Sequence, residues 1–490
     1  MTVVSAVQRQ AADDGASGLR PLVVDLDGTL LRTDLLFETL WRALAGGPSA
    51  VLALLGALGG GRAGLKAHLA DVVTIDPVGL PYDGQVLEQI RAARAQGRLT
   101  VLCTASDQRL ADAVAGHLGL FDAVHGSEGV RNLKGARKAE FLAERYGEAG
   151  FDYAGDALAD RAVWRRAHGA ITVGLSGPAR AAVRTAGGPV VHLDRAAPGP
   201  VPYLKAMRPH QWLKNLLIFL PLLAAHDLSL AAWQAAIAAF IAFSLIASSV
   251  YLANDLLDLE ADRAHPRKRS RPFAAGAASL VVGTGLTLLL LVAGFAIATL
   301  VGQPLFLAVL AGYFVLTTAY SLWLKRRLVI DICTLAGLYT LRVIAGGVAT
   351  GIALSEWLLG FSIFFFLSLA AVKRQAELVD GLASGRAEAA GRAYRTDDLP
   401  IISAMAIAAG YASVLLFALY LNSSAVLKLY AHPKLLWAIG PVLLYWISRV
   451  VMRAHRGTMH DDPIIFAVRD RVSHVCGVII VAVVLAASLP

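Results

Sequence analysis

Residues 248–272 read SSVYLANDLLDLEADRAHPRKRSRP. An apolar run leads into this stretch, and Asp255, Asp258 and Asp262 then follow at i, i+3 and i+7. On a helix that spacing puts all three carboxylates on one face. Three acids on one face where an apolar helix ends repel one another unless a cation lies between them. A set of hard oxygens predicts Mg²⁺ bridging to a diphosphate. Asn254 adds a neutral ligand or hydrogen bond, and His265, Lys268, Arg269 and Arg271 come next, in position to hold phosphate oxygens. The competing reading is a solvated charged loop. Regular acidic spacing emerging directly from an apolar helix argues against it.

Working outward, residues 272–323 contain no Asp, Glu, Lys, Arg or His. That is more than twice the ~20 apolar residues that cross a bilayer. Nine apolar segments are expected, at 211–227, 231–253, 277–300, 304–323, 329–350, 356–372, 401–421, 434–451 and 473–489. They predict an all-α polytopic bundle of nine transmembrane helices over 205–490. The connections 254–276, 324–328, 373–400 and 452–472 are rich in Arg or Lys, whereas 228–230, 301–303 and 351–355 contain neither. Only the 422–433 turn, with Lys428, goes the other way. Positive charge therefore places the basic loops and the N-terminal region on the cytoplasmic side of the plasma (inner) membrane. The first 20 residues have no apolar core, so no cleavable signal peptide is expected. The chain is 56% apolar and 17% charged, with a net charge of +9. Because Lys and Arg cluster between apolar segments, the charge reads as topology and anionic-substrate binding, not nucleic-acid binding. Cys103, Cys333 and Cys476 are far apart and form no CxxC pair, which points to neither a disulfide framework nor a zinc site.

Residues 19–180 alternate short apolar runs with polar helical stretches, the pattern of a Rossmann-like α/β domain. Strands are expected at 21–24, 99–103, 151–153 and 170–174. Residues 1–18 read as a disordered leader, 34–90 as a small helical cap and 181–204 as a linker. PLVVDLDGTL puts Asp25 and Asp27 just beyond the first strand. Phosphoryl transfer through an aspartyl intermediate needs a carboxylate nucleophile and an acid for the leaving oxygen. Two Asp one residue apart supply both, although such pairs also cap helices. Further along, LCTAS offers the Thr104 hydroxyl for a phosphate oxygen. NLKG offers Lys134 for phosphate charge, with Lys138 as its rival, and YAGDALAD offers Asp156 and Asp160 for Mg²⁺.

Taken in order, these residues resemble the four motifs of the haloacid dehalogenase superfamily of phosphatases. The resemblance covers about 20–180. It implies Asp25 as nucleophile, Asp27 as general acid/base, Thr104 and Lys134 on the phosphate, and Mg²⁺ among Asp25, Asp27, Asp156 and Asp160.

The NDxxDxxxD stretch resembles the UbiA superfamily of intramembrane prenyltransferases. The second acidic motif of that family, DxxxD, is not intact. YSLWLKRRLVIDICTLAGLYTLRVIAGG (320–347) carries Lys325, Asp331 and Arg342, with Leu335 where a second Asp falls. RPHQWLKN (208–215), DRAHPRKRSRP (262–272), LRVIAGG and VKRQAEL (372–378) together resemble the decaprenyl-phosphate phosphoribosyltransferase branch. That branch joins phosphoribosyl diphosphate to a polyprenyl phosphate. The resemblance implies that Asp255, Asp258 and Asp262 hold a Mg²⁺–diphosphate leaving group. It also implies that Arg208, Lys214, Lys325, Asp331, Arg342, Lys373 and Arg374 serve the two substrates. Positive-inside topology alone competes for Arg208 and Lys214, and Trp212 reads better as an interfacial anchor. Asp461, Asp462, Arg469 and Asp470 either close over the site or form structural ion pairs.

The expected function is therefore bifunctional: 5-phosphoribose transfer to a polyprenyl phosphate, followed by removal of the 5-phosphate by the soluble domain. The alternative enzyme is a UbiA-type prenyltransferase, moving a polyprenyl group from its diphosphate to an aromatic or other acceptor, with an independent phosphatase. The non-enzymatic alternative, a lipid-binding or transport protein, calls for charges near the membrane midplane instead of at a helix end. Whether copies of the chain associate into a homo-oligomer stays open.

Overall fold

The computed structural model describes residues 19–58, 68–128, 132–195, 199–384, 392–459 and 462–489; the leader expected at 1–18, and Asp461, lie outside them. The chain forms two compact units, Met1–Ala206 with Leu252–Gly285, and Met207–Tyr251 with Leu286–Pro490.

In the first unit, six strands form one sheet: β1 (Leu22–Val24), β2 (Thr100–Asp107), β3 (Ala123–Ser127), β4 (Asp152–Gly155), β5 (Gly169–Val173) and β6 (Val190–Leu193). All pair in parallel, in the order β3-β2-β1-β4-β5-β6. β1 reads LVV and is buried throughout, as a strand covered on both faces must be. Its alternate side chains feed opposite layers. Leu22 and Val24 pack with Val86 and Ile90 of α3 (Gly84–Ala95) and with Ala111 and Val114 of α4 (Gln108–Leu118). Val23 packs with Leu142 of α5 (Ala136–Tyr146) and with Val163 and Trp164 of α6 (Arg161–Arg166). The four expected strands are present. β3 and β6 were not expected, and β6 lies inside the stretch read as a linker. β6 is a mostly exposed edge strand, so it carries no burial pattern. Arg195, just after it, returns to the Asp25 loop, donating to the Gly28 carbonyl at 2.6 Å and pairing with Asp83. The cap region contains α1 (Leu35–Leu44) and α2 (Pro48–Leu58), whereas α3 already belongs to the sheet layers.

Residues 252–285 carry the last turn of α7 (Leu230–Leu257), then α8 (Leu259–Ala264) and the start of α9 (Leu280–Thr299). Side chains fasten this segment to the N-terminal domain. Arg263 donates to both Glu38 oxygens, at 2.6 and 3.1 Å. The Trp41 indole N–H donates to the Thr284 hydroxyl at 2.9 Å. Gly276 has φ +64°, and a Cβ there would lie 2.9 Å from Arg32 Cβ and 3.0 Å from Pro81 Cβ, so both conformation and space require glycine.

Eight helical spans among the described residues are long and apolar enough to cross a membrane: α7, α9, α10 (Pro304–Leu322), α11 (Ile330–Thr350), α12 (Glu356–Ala383), Thr396–Leu421 with α13 (Leu399–Leu421), Pro433–His455 with α14 (Ile439–His455), and α15 (Arg471–Ser488). The ninth expected span, 211–227, has a different form. It consists of an 11-residue 3₁₀ run, Pro209–Phe219, followed by a five-residue helix, Leu220–Ala224. Pro209 and Pro221 each remove a backbone donor, and Arg208 sits in the left-handed region at φ 53°. The 3₁₀ run lies against α11 because residue 346 is glycine: a Cβ there would fall 2.0 Å from the Ile218 carbonyl oxygen.

Candidate active sites

The first centre lies where parallel strands end, the place such sheets bind ligands. Asp25 leaves β1, and Asp156 and Asp160 follow β4. One carboxylate oxygen from each lies within 4.8 Å of the others, and among the described residues this is the only such acidic set. Burial, reinforced by the Asp25 charge, pushes Asp156 up to about 7 and Asp160 up to about 6. Three converging carboxylate oxygens fit a hard divalent cation such as Mg²⁺. Gly28, at φ +75°, lets the backbone pass Asp156, whose Oδ2 would be 2.2 Å from a Cβ there.

Asp27 is held differently. Its Oδ2 accepts from the Ser106 hydroxyl at 2.5 Å and its Oδ1 from the Leu35 backbone N–H at 2.7 Å, so its side chain is committed to these donors. Burial, with the Asp34 charge beside it, pushes its pKa up to about 7, which suits a group that must carry a proton at neutral pH. Ser106 was missed from sequence. β2 runs on to Asp107, so Thr104 is fully buried and accepts from the Ser106 N–H at 3.0 Å. Of these two hydroxyls, it is Ser106 that lines the cleft. The signal available was that Thr104 and Ser106 stand two apart and share a strand face. Of the rival lysines, Lys138 contacts Asp25 at 2.8 Å and is buried, while Lys134 lines the cleft.

The second centre is the acidic helix end. The single helix expected here is interrupted at Asp258, which caps α8 at φ −96° and ψ 13°, although the Asp258 N–H still donates to the Asn254 carbonyl and the Asp262 N–H to the Asp258 carbonyl. Asp255 and Asp262 are buried. Arg271, expected on phosphate, joins them, its Nη1 lying 3.2 Å from Asp255 Oδ1 and 2.7 Å from Asp262 Oδ2. With Arg271 between two of the acids, the three do not converge as tightly as the Asp25 set. Burial raises the Asp262 carboxyl, against the pull of Arg271. Its Oδ1 is buried with no hydrogen-bond partner. A buried carboxylate oxygen left bare is costly, so this atom fits a metal ligand. His265 accepts from the Arg267 and Lys268 backbone N–H groups and shapes the turn, while Lys268 and Arg269 are exposed.

In the second unit five of the expected substrate residues, Lys214, Lys373, Arg342, Asp331 and Arg374, fall into three groups. Lys214 and Lys373 both point to Asp462 Oδ2, at 2.8 and 3.2 Å, and the Tyr339 hydroxyl donates to the same carboxylate. Burial alone would raise Asp462, but Lys373 and Lys214 hold it well below the usual carboxylate range. Arg342 donates to Asn215 at 2.8 Å and to the Tyr313 hydroxyl at 3.0 Å. Asp331 pairs with Arg374 at 2.7 Å, both fully buried, and accepts from the Tyr394 hydroxyl. Arg208 lies 5.2 Å over the Tyr251 ring, and the Lys325 carbonyl accepts from Arg392. Trp212 donates to Ser248 at 2.9 Å, tying the 3₁₀ run to α7. Asp470 takes both Arg449 N–H groups at 2.7 and 2.9 Å and caps α15, a structural ion pair. Asn215, Tyr313 and Tyr339 were not anticipated, because isolated polar residues in apolar helices carry no local pattern.

The protein y4nM of Sinorhizobium fredii, itself uncharacterised, is 40% identical over 465 residues, covering 94% of this chain and 89% of that protein. The decaprenyl-phosphate phosphoribosyltransferase of Mycolicibacterium smegmatis is 44% identical over 181 residues, 36% of this chain and 56% of that protein. A solved phosphoserine phosphatase, as a phospho-aspartyl intermediate analogue, aligns with 35% of this chain and 93% of its own at 14% identity and a TM-score of 0.26. The UbiA prenyltransferase family profile matches residues 215–467, which take in the acidic helix end and seven of the eight long apolar helices in full, leaving out α15 and the first six residues of the 3₁₀ run. More than half of the chain carries that profile, and the chain belongs to the UbiA prenyltransferase family.

Proposed function

We propose that the chain transfers 5-phosphoribose from phosphoribosyl diphosphate to a polyprenyl phosphate at the cytoplasmic face of the plasma membrane, and that its soluble domain then removes the 5-phosphate. Asp255, Asp258 and Asp262 would hold Mg²⁺, which when bound would supply charge neutralisation for the diphosphate. A lipid phosphate oxygen attacks the anomeric carbon and the diphosphate leaves. Lys214 and Lys373 serve substrate phosphates. In the soluble domain Asp25 attacks phosphorus, the ester oxygen leaves with the Asp27 proton, and Asp27 then deprotonates the water that frees inorganic phosphate. Lys138 balances the charge at Asp25.

The observation that carries this reading is that the acidic helix end and the aspartate cleft share one compact unit, fastened by Arg263 on Glu38. The likeness to a phosphoribosyltransferase supports the choice of donor. The test compares wild type with Asp27→Asn, each given labelled phosphoribosyl diphosphate and a polyprenyl phosphate, with the lipid read by mass spectrometry. The 5-phosphorylated lipid should accumulate in the variant and the dephosphorylated lipid in wild type. Identical products remove the coupling, and absence of labelled lipid from both removes the transferase.

A further inference from the structure

The cleft above Asp25 is not walled by the N-terminal domain alone. It encloses about 1030 Å³, and one side is made by Gly276, Ala277, Ser279, Leu280 and Val281. Leu280 and Val281 are the first two residues of α9, a 20-residue helix apolar enough to cross a membrane. The start of such a helix marks the border where bilayer hydrocarbon begins. Other residues of the lining carry the chemistry and charge: Asp25, Asp27, Lys138, Arg32 and Arg195.

The wall is built into place. Gly276 sits against Arg32 and Pro81 with no room for a Cβ. The Ser279 N–H donates to the Tyr203 hydroxyl at 3.0 Å, so this backbone donor is already used. Thr284, one turn further along α9, is held by Trp41. Ala277 and Val281, both exposed, therefore offer the cleft aliphatic surface, with Leu280 buried beside them. A hydroxyl-rich soluble sugar phosphate gains nothing from such a surface and loses hydration against it. A substrate whose far end is hydrocarbon gains by covering it.

We propose that the phosphatase cleft takes a phosphate monoester anchored in the bilayer, its phosphate reaching Asp25 and its hydrocarbon end leaving across the first turn of α9. This rests on Asp25 being a phosphatase nucleophile and is independent of the transferase chemistry.

The test uses the full chain in lipid nanodiscs with two probes, ribose 5-phosphate and the same sugar phosphate carrying a hexadecylphosphoryl tail at its anomeric oxygen. Wild type should favour the tailed probe in kcat/KM by about 100-fold or more. Val281→Asp should cut that preference by about tenfold, through KM on the tailed probe. Val281→Ser, the milder change, should shift it the same way by a smaller factor and stands in if the aspartate variant fails to fold. Equal kcat/KM for the two probes in wild type overturns the proposal, as does an unchanged preference in the folded Val281 variants. Hydrolysis of both probes surviving in Asp25→Asn overturns the phosphatase reading itself, a separate result.

Discussion

Cutting the Glu38–Arg263 pair tests what holds the acidic loop to the N-terminal α/β domain. The two side chains are 6% and 10% exposed, and two charge-assisted bonds join them. Glu38→Ala leaves the guanidinium buried without its carboxylate and removes the acceptor of the Thr33 hydroxyl, at 2.6 Å. Stranding one member of a buried pair costs about 3–5 kcal/mol. Arg263→Ala strands Glu38 instead, but Thr33 still donates to it, so the loss should lie toward the lower end of that range. The double variant removes both charges, so its loss should fall short of the sum of the single losses by about 2–3 kcal/mol. The assay is native-state proteolysis of the 252–279 loop in the full-length protein across a denaturant series, which reads the free energy of local opening. Phosphatase turnover should fall in parallel, because α1, which carries Glu38, also supplies the Leu35 N–H that holds Asp27. Additive losses, within about 0.5 kcal/mol, would show that the pair carries no coupling energy and refute the reasoning.

Asp258→Asn should lower phosphoribosyl transfer about 100-fold or more, measured as label entering lipid; full activity at normal magnesium removes the metal-site assignment. Ser106→Ala deletes the hydroxyl that donates to Asp27 and should lower phosphatase kcat about tenfold with little change in KM, so an unaltered kcat would show that the bond does not position the acid. Asp462→Asn leaves Lys214 and Lys373 without their shared carboxylate and should cost about 3–5 kcal/mol of stability by thermal unfolding in detergent. Added phosphoribosyl diphosphate should then raise Tm more in that variant than in wild type, and an equal rise argues against an anion at those lysines.

Amino-acid order alone determined whatever depends on local period or local spacing. The uncharged 272–323 stretch had to cross a membrane, and the buried LVV before Asp25 had to be a strand, whereas the single helix expected to carry Asp255, Asp258 and Asp262 is interrupted at Asp258. β6 and the 3₁₀ run escaped that reading for the same kind of reason. An exposed edge strand has no burial pattern, and a proline-bounded apolar segment reads as a membrane helix until its backbone bonds are seen. The partners of buried charges needed tertiary structure. Lys214 meets Asp462 across 248 residues and Arg263 meets Glu38 across 225, distances over which no periodicity carries information. The same holds for Ser106 over Thr104, decided by how far β2 continues beside its neighbours, and for the wall that α9 lends to the phosphatase cleft. A cleft is defined by which surfaces face each other, and that follows from packing the sheet layers and the loop together.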